Sequence, residues 1–201
     1  MRLFYAIKFN DNVKSRLAGN LAEIKKHTLK GSFTEKDNFH ITLVFVGECE
    51  PGKLEDLKKV VDNTVENQQF SFIKENPVKM RIDGLGTFVR PEDELLWVGT
   101  KTEPENILKK FNETILEELA KCGVVIKDDK RFSPHITLAR RVIFRDITNK
   151  DLKQIKFEPV NFSINSLTLM ESVQEITAVK TIYGERQYTK IVYKPVYERK
   201  F

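Results

Sequence analysis

The feature that most constrains this chain is a tetrapeptide that occurs twice, as His40-Ile41-Thr42-Leu43 and as His135-Ile136-Thr137-Leu138. Two of the chain's three histidines sit in it. Four recurring residues alone say little, since a chance recurrence is expected roughly 0.3 times in a chain of this length. The context says more. Both copies open strand-like runs, and in an extended chain successive side chains point to opposite faces. His40 and Thr42 therefore share one face, and so do His135 and Thr137. Ile41, Leu43 and Phe45 are expected to fill the opposite, core face. Each copy would present an imidazole beside a hydroxyl on an anchored strand.

The rest of the sequence repeats in step with the tetrapeptide. A strand over residues 2–9 leads to a helix with Asn10 or Asp11 as cap and Val13, Leu17, Leu21 and Ile24 as its apolar stripe. Gly31 fits the position after that helix, and His27 in its last turn reads as a surface histidine. The first tetrapeptide strand ends at Gly47, and a helix follows Pro51 with Leu54, Leu57, Val61 and Val65 on one face. Alternation predicts strands at Phe70–Phe72 and Val78–Ile82, with Gly84 and Gly86 as a bulge or turn. The order then begins again. Leu95 to Val98 is a strand, and Thr102-Glu103-Pro104-Glu105 has the capping-box pattern before a helix carrying Leu108, Phe111, Ile115 and Leu119. Phe132-Ser133-Pro134 leads into the second tetrapeptide. Thr148 and Asp151 could cap a short helix with Leu152 and Ile155. Val160–Ile164 and Leu167–Leu169 read as strands, and Val179–Tyr193 as a hairpin turning near Gly184-Glu185-Arg186. Matching elements recur after 92 to 97 residues.

This pattern predicts an α+β, bilobal fold of two pseudo-symmetric lobes, each a mainly antiparallel sheet with helices, with a cleft between them. Residues 1–201 would form a single domain of two duplicated repeats, 2–88 and 94–175, and a C-terminal hairpin over 178–194.

Composition narrows the function classes. No apolar run approaches membrane-spanning length and the N-terminus has no signal-peptide layout, so a cytoplasmic location is expected, with no membrane partner. Cys49 and Cys122 make neither a CxxC nor a disulfide framework. No GxGxxG or Walker pattern cradles a nucleotide. A formal net charge of +5 suits a polyanionic partner. Zinc is disfavoured, because the histidines and cysteines show no ligand spacing such as HxH or HxxxH.

If the two lobes face each other, His40 and His135 meet across one cleft. Two imidazoles on opposite sides of a phosphorus atom suit general acid–base cleavage of a P–O bond near neutral pH. Thr42 and Thr137 would hydrogen-bond the non-bridging oxygens, whose charge also calls for a guanidinium.

The double His-x-Thr signature resembles the two-histidine (2H) phosphoesterases. Phe39-His40-Ile41-Thr42-Leu43 through Val46-Gly47, and Phe132-Ser133-Pro134-His135-Ile136-Thr137-Leu138-Ala139-Arg140, are similar to the RNA 2′,3′-cyclic phosphodiesterase branch, also called the LigT or 2′-5′ RNA ligase family. The resemblance implies a bilobal fold and hydrolysis of an RNA 2′,3′-cyclic phosphate to a 2′-phosphomonoester, without metal or cofactor, by a monomer. His40 would be the acid that protonates the leaving 3′-oxygen and His135 the base for water. An alternative is the reverse reaction, 2′-5′ joining of RNA such as tRNA halves; a second is a non-catalytic RNA- or nucleotide-binding module on the same fold. The family's arginine, five residues after the second histidine, falls on Arg140. Strict alternation instead puts Arg141 on the His135 face, so Arg140 serves only if the strand bulges or ends after Ala139. Phe39, Phe45 and Phe132 could stack a base, core packing being the simpler reading for Phe45 and Trp97. Lys127, Lys130 and Arg131 could guide an RNA backbone.

Overall fold

A computed structural model describes residues 1–89, 94–126, 131–145, 152, 155–181 and 184–201. Nine strands and three helices are defined among them: β1 (Arg2–Lys8), α1 (Asp11–Lys26), β2 (Thr28–Phe33), β3 (His40–Glu48), α2 (Leu54–Glu66), β4 (Val78–Val89), β5 (Glu94–Glu103), α3 (Ile107–Lys121), β6 (His135–Phe144), β7 (Val160–Ile164), β8 (Ser166–Thr181) and β9 (Gly184–Lys200). Two sheets result, with strand orders β3-β1-β8-β9 and β2-β6-β5-β4-β7, and every pairing is antiparallel. Each tetrapeptide strand lies beside the first strand of its own repeat. Beyond that, the repeats exchange partners: β4 joins the second sheet and β8 the first, so the boundary between the repeats is not the boundary between the sheets.

The helices form where the apolar spacing demands them. Asn10 caps α1 by accepting a hydrogen bond from the Val13 amide (3.0 Å), and Val13, Leu17, Leu21 and Ile24 are buried. Leu57, Val60, Val61 and Val65 of α2 and Leu108, Phe111, Ile115 and Leu119 of α3 join them in one continuous core. Tyr5, fully buried in β1, donates its hydroxyl hydrogen to the Leu57 carbonyl (2.9 Å) and so ties the first sheet to α2.

Several local expectations fail, each for a physical reason. Gly31 lies within β2, since α1 stops at Lys26 and the chain turns directly into an edge strand paired with β6. Phe70 and Phe72 belong to a 3₁₀ segment, Gln68–Lys74, not to a strand. Asn67 caps it through the Gln69 amide, and Phe70 and Ile73, three apart, supply its buried side. The capping-box residues Thr102 and Glu103 are claimed by sheet pairing with Met80 and Lys79, and α3 begins only at Ile107 behind a left-handed Asn106. The C-terminal hairpin is longer than expected, running from Ser166 to Lys200 and closing at the Thr181–Gly184 pair, so Glu185 and Arg186 are strand residues. Thr148 and Asp151 lie outside the described residues, although Leu152 and Ile155 are buried.

Phe45 is the correction that matters most for the site. It is 46% exposed, not core. The β1–β3 register slips at Leu43, because Tyr5 pairs with Val44 while Ala6 pairs with Thr42. This bulge leaves Leu43 and Val44 both buried and turns Phe45 back to the face of His40 and Thr42.

Candidate active site

The second tetrapeptide strand bulges at the equivalent place. Leu96 pairs with Ala139 but Trp97 with Thr137, so Leu138 is the extra residue. Leu138 and Ala139 are both buried, and Arg140 emerges on the His135 and Thr137 side. The alternation that favoured Arg141 is broken one step before it matters. Arg141 takes a left-handed φ of 54° and its guanidinium donates to Ser32 Oγ (3.0 Å).

The two histidines are held alike. His40 Nδ1 lies 2.7 Å from the carbonyl of Asn38, and His135 Nδ1 lies 2.8 Å from the carbonyl of Ser133, in each case two residues upstream. A carbonyl can only accept, so Nδ1 carries the hydrogen in both rings and Nε2 is the nitrogen that takes or gives a proton. Thr42 Oγ1 is 3.0 Å from His40 Nε2. Strands β3 and β6 approach within 8 Å between Cα atoms, which brings the two half-sites together.

Electrostatics tie the group into one cleft. Burial pushes the His40 imidazole down to about 4 from its ordinary 6.5. The Asn38 carbonyl opposes this by favouring the protonated ring, while the Arg140 guanidinium and, when protonated, the His135 imidazole add to the depression. His40 is thus neutral in the free protein at neutral pH, with the Arg140 guanidinium facing it. An anion bound between these groups would reverse that balance.

Each histidine has an aromatic wall that the sequence did not reveal. Phe4 and Tyr193 flank His40, with ring centroids at 5.0 and 4.8 Å. Phe88 meets His135 edge-on at 5.0 Å, and Trp97 lies 6.4 Å from it and 5.3 Å from Phe88. Trp97 is therefore half-exposed at the site rather than a core residue, and it fits because residue 86 is glycine: a Cβ there would lie 2.3 Å from Trp97 Cζ2. Asn38 was also missed. Its side-chain amide donates to the Ile191 carbonyl (2.7 Å) and accepts from the Tyr193 amide (3.1 Å), pinning the turn before His40 to the edge of β9. In a flat sheet β3 and β9, three strands apart, would lie about 14 Å from each other; the first sheet curls until Asn38 bridges them. The signals for these residues were the strand registers, which place Trp97 opposite Thr137 and Phe4 opposite Phe45.

Of the other expected residues, Phe39 is buried core, Phe132 is half-buried against the core, and Arg131 is exposed. Lys127 and Lys130 lie outside the described residues. Among the described residues no group of three or more His, Cys, Asp or Glu could hold a metal ion, and no helix is long and apolar enough to cross a membrane.

A fold of two antiparallel sheets closing on a pair of His-x-Thr strands defines a 2H phosphoesterase. Residues 5–175 match the AKAP7 2′5′ RNA ligase-like domain, and the chain belongs to that family. It is 26% identical over 200 residues to the RNA 2′,3′-cyclic phosphodiesterase of Thermotoga maritima, covering 98% of this chain and 96% of the relative. It is 30% identical over 164 residues to the protein of that name from Methanocaldococcus jannaschii, covering 81% and 84%. The crystal structure of Escherichia coli LigT complexed with 3′-AMP superposes with a TM-score of 0.69 at 22% identity, over 99% of this chain and 97% of that one.

Proposed function

We propose that this protein is an RNA 2′,3′-cyclic phosphodiesterase that hydrolyses the cyclic phosphate to a 2′-phosphomonoester. The observation that carries the reading is the matched pair of histidines, each with Nδ1 committed to a backbone carbonyl two residues upstream, facing one cleft that Arg140 also enters. In this mechanism His135 Nε2 takes a proton from water as the water oxygen bonds to phosphorus. The P–O3′ bond breaks on the far side, and the departing 3′-oxygen receives the proton of His40. Thr42 and Thr137 hydroxyls and the Arg140 guanidinium hold the non-bridging oxygens, where charge accumulates. Since His40 is neutral in the free protein, its proton enters with the substrate, whose phosphate offsets the charge of Arg140. Phe45, exposed on the same face as His40, offers its ring to a base of the substrate.

The acting protein is a single domain of two duplicated repeats, working as a cytoplasmic monomer on RNA ends such as tRNA fragments. Turnover of a short RNA ending in a 2′,3′-cyclic phosphate, with excess EDTA and product identification, tests the reading. A 2′-phosphate product, lost in His40→Ala and in His135→Ala by about 10²–10⁴-fold, is the expected result; undiminished turnover in either variant would end it. The family's ligase name favours one second outcome, 2′-5′ joining when a second RNA with a free 5′-hydroxyl is supplied. Appearance of a joined product in that assay decides between the two directions.

A further inference from the structure

The charge of this protein is not spread evenly. Residues 28–34 and 131–145 contain one lysine, Lys30, and four arginines, Arg131, Arg140, Arg141 and Arg145, and no acidic residue. That excess equals the formal net charge of the whole chain, +5. These segments are β2 with its flank and β6 with the residues leading into and out of it, and they pair along their length. Thr34 donates its amide to the Leu138 carbonyl (2.8 Å) and its hydroxyl hydrogen to the Thr137 carbonyl (2.9 Å). Ser32 faces Arg140, Lys30 faces Ile143, Thr28 faces Phe144, and the Arg145 amide reaches the His27 carbonyl (3.1 Å).

The backbone turns the charges outward. The bulge at Leu138 exposes Arg140, and the left-handed φ of Arg141 exposes the next residue too, so two consecutive arginines both meet solvent where an ideal strand would bury one. Val142 and Thr28 face the core, and Lys30, Arg141, Ile143 and Arg145 do not. Among the described residues, none of the five cations forms an ion pair. Apolar surface is interleaved with them: Leu29 and Ile143 are 61% and 53% exposed. Unpaired cations alternating with flat or apolar side chains match the pattern of a surface for single-stranded nucleic acid.

We propose that the β2–β6 ribbon is the docking track for the RNA strand that leads to the reacting end, with Lys30, Arg141 and Arg145 on its phosphates and Leu29 and Ile143 under its bases. This rests on the cyclic-phosphodiesterase reading of the adjoining cleft. Continuity with that cleft fixes the occupant. β6 begins at His135, passes Arg140, and runs 10 residues, about 33 Å, so one strand serves both the reacting phosphate and those behind it. A second copy of this chain is a poor occupant, because the patch would meet its own charge and β2 is an edge of only 6 residues.

The test compares two substrates in one variant. Lys30→Gln, Arg141→Gln and Arg145→Gln are combined, all three exposed and none in the cleft. A ten-nucleotide RNA ending in a 2′,3′-cyclic phosphate and a mononucleoside 2′,3′-cyclic phosphate are then assayed over a range of salt. The expected result is a drop of about 10- to 100-fold in kcat/KM for the oligonucleotide at low salt and a change within about twofold for the mononucleotide. The salt dependence of oligonucleotide binding should be shallower by about 2 in slope, three contacts at roughly 0.7 each. Lys30→Glu alone, which adds repulsion without touching β6, should lower the oligonucleotide value in the same direction. Equal effects on both substrates, or an unchanged oligonucleotide value and salt slope, would overturn the track. Failure of the wild-type protein to turn over either substrate would instead overturn the reading of the cleft.

Discussion

Asn38 is where a single side chain connects fold to chemistry, and Asn38→Ala is the sharpest perturbation the structure offers. The residue is 9% exposed. Its amide makes two hydrogen bonds to the β9 backbone, at 2.7 and 3.1 Å, while its own carbonyl receives His40 Nδ1–H at 2.7 Å. Deleting the side chain removes two neutral hydrogen bonds, each about 1 kcal/mol net, so roughly 2 kcal/mol of stability is lost. The catalytic effect is separate. The Asn38 carbonyl is what favours protonation of His40 against the cost of burial. Once the clamp is gone the carbonyl is no longer fixed under the ring, and the proton affinity of His40 falls further. The limb of the pH–rate profile that belongs to His40 should move to lower pH, and kcat should fall about tenfold or more, with KM for the mononucleotide little changed. Urea unfolding and a pH–rate series on the cyclic-phosphate substrate read the two effects independently. Asn38→Asp is the control. It keeps an acceptor for the Tyr193 amide, loses the donor to Ile191, and places a negative charge near the ring, which moves the same limb upward. Wild-type stability and an unshifted profile in Asn38→Ala would refute the reasoning.

Three further outcomes follow from other parts of the site. The unfolded chain protonates His40 near 6.5 but the folded protein only at about 4, so the stability contributed by the neutral, half-buried ring is complete above 6.5 and declines as the pH falls toward about 4, by up to ~3 kcal/mol; in His40→Asn that component is missing, and the gap in urea midpoint between variant and wild type should change across this window, a constant gap counting against it. Phe45→Ala should cost under about 1 kcal/mol of stability, being a surface change, but raise KM several-fold for a base-bearing substrate; Phe39→Ala, in the core, should cost about 3–5 kcal/mol. Gly86→Ala drives a methyl to 2.3 Å from the Trp97 ring and should cost about 1–3 kcal/mol while changing the emission of the chain's one tryptophan; an unchanged spectrum would mean the ring does not lie over residue 86.

The two-sheet α+β architecture was legible because periodicity and the repeat are local properties. Val13, Leu17, Leu21 and Ile24 announce a buried helix face whatever lies opposite, and so do Leu108, Phe111, Ile115 and Leu119. What failed depends on partners. Thr102 and Glu103 have the residues of a cap, yet the sheet claims them because Met80 and Lys79 stand opposite. Phe70 and Phe72 alternate with polar neighbours, but their spacing suits a 3₁₀ turn once Asn67 caps it. Strand β2 left no periodic signal, since an edge of 6 residues buries only Thr28. The histidines and threonines could be named from sequence because the motif repeats. Phe4, Phe88, Trp97 and Tyr193 could not, because they reach the site from four strands whose register no single segment encodes.

The paired bulges show why a repeated tetrapeptide ends in leucine. In both strands the leucine after threonine is the extra residue, and it and its successor are both buried. The register change therefore falls directly behind the His-x-Thr unit and returns the fifth residue after each histidine to the face of that histidine and threonine. In the second half that residue is Arg140, a cation for phosphate oxygens. In the first half it is Phe45, with the Arg2 guanidinium 5.1 Å from its ring centre. One backbone device, used twice, thus places four similar groups on the two tetrapeptide strands and two dissimilar ones beside them. On the proposed reading, the symmetry suits a phosphorus that needs an acid and a base in opposed and equivalent positions. The break in symmetry would let Arg140 hold that phosphate's oxygens from one side while Phe45 meets a base of the substrate on the other. A straight strand of the same sequence would keep the histidines and threonines aligned but send both Phe45 and Arg140 into the core, where a guanidinium could not stay unpaired.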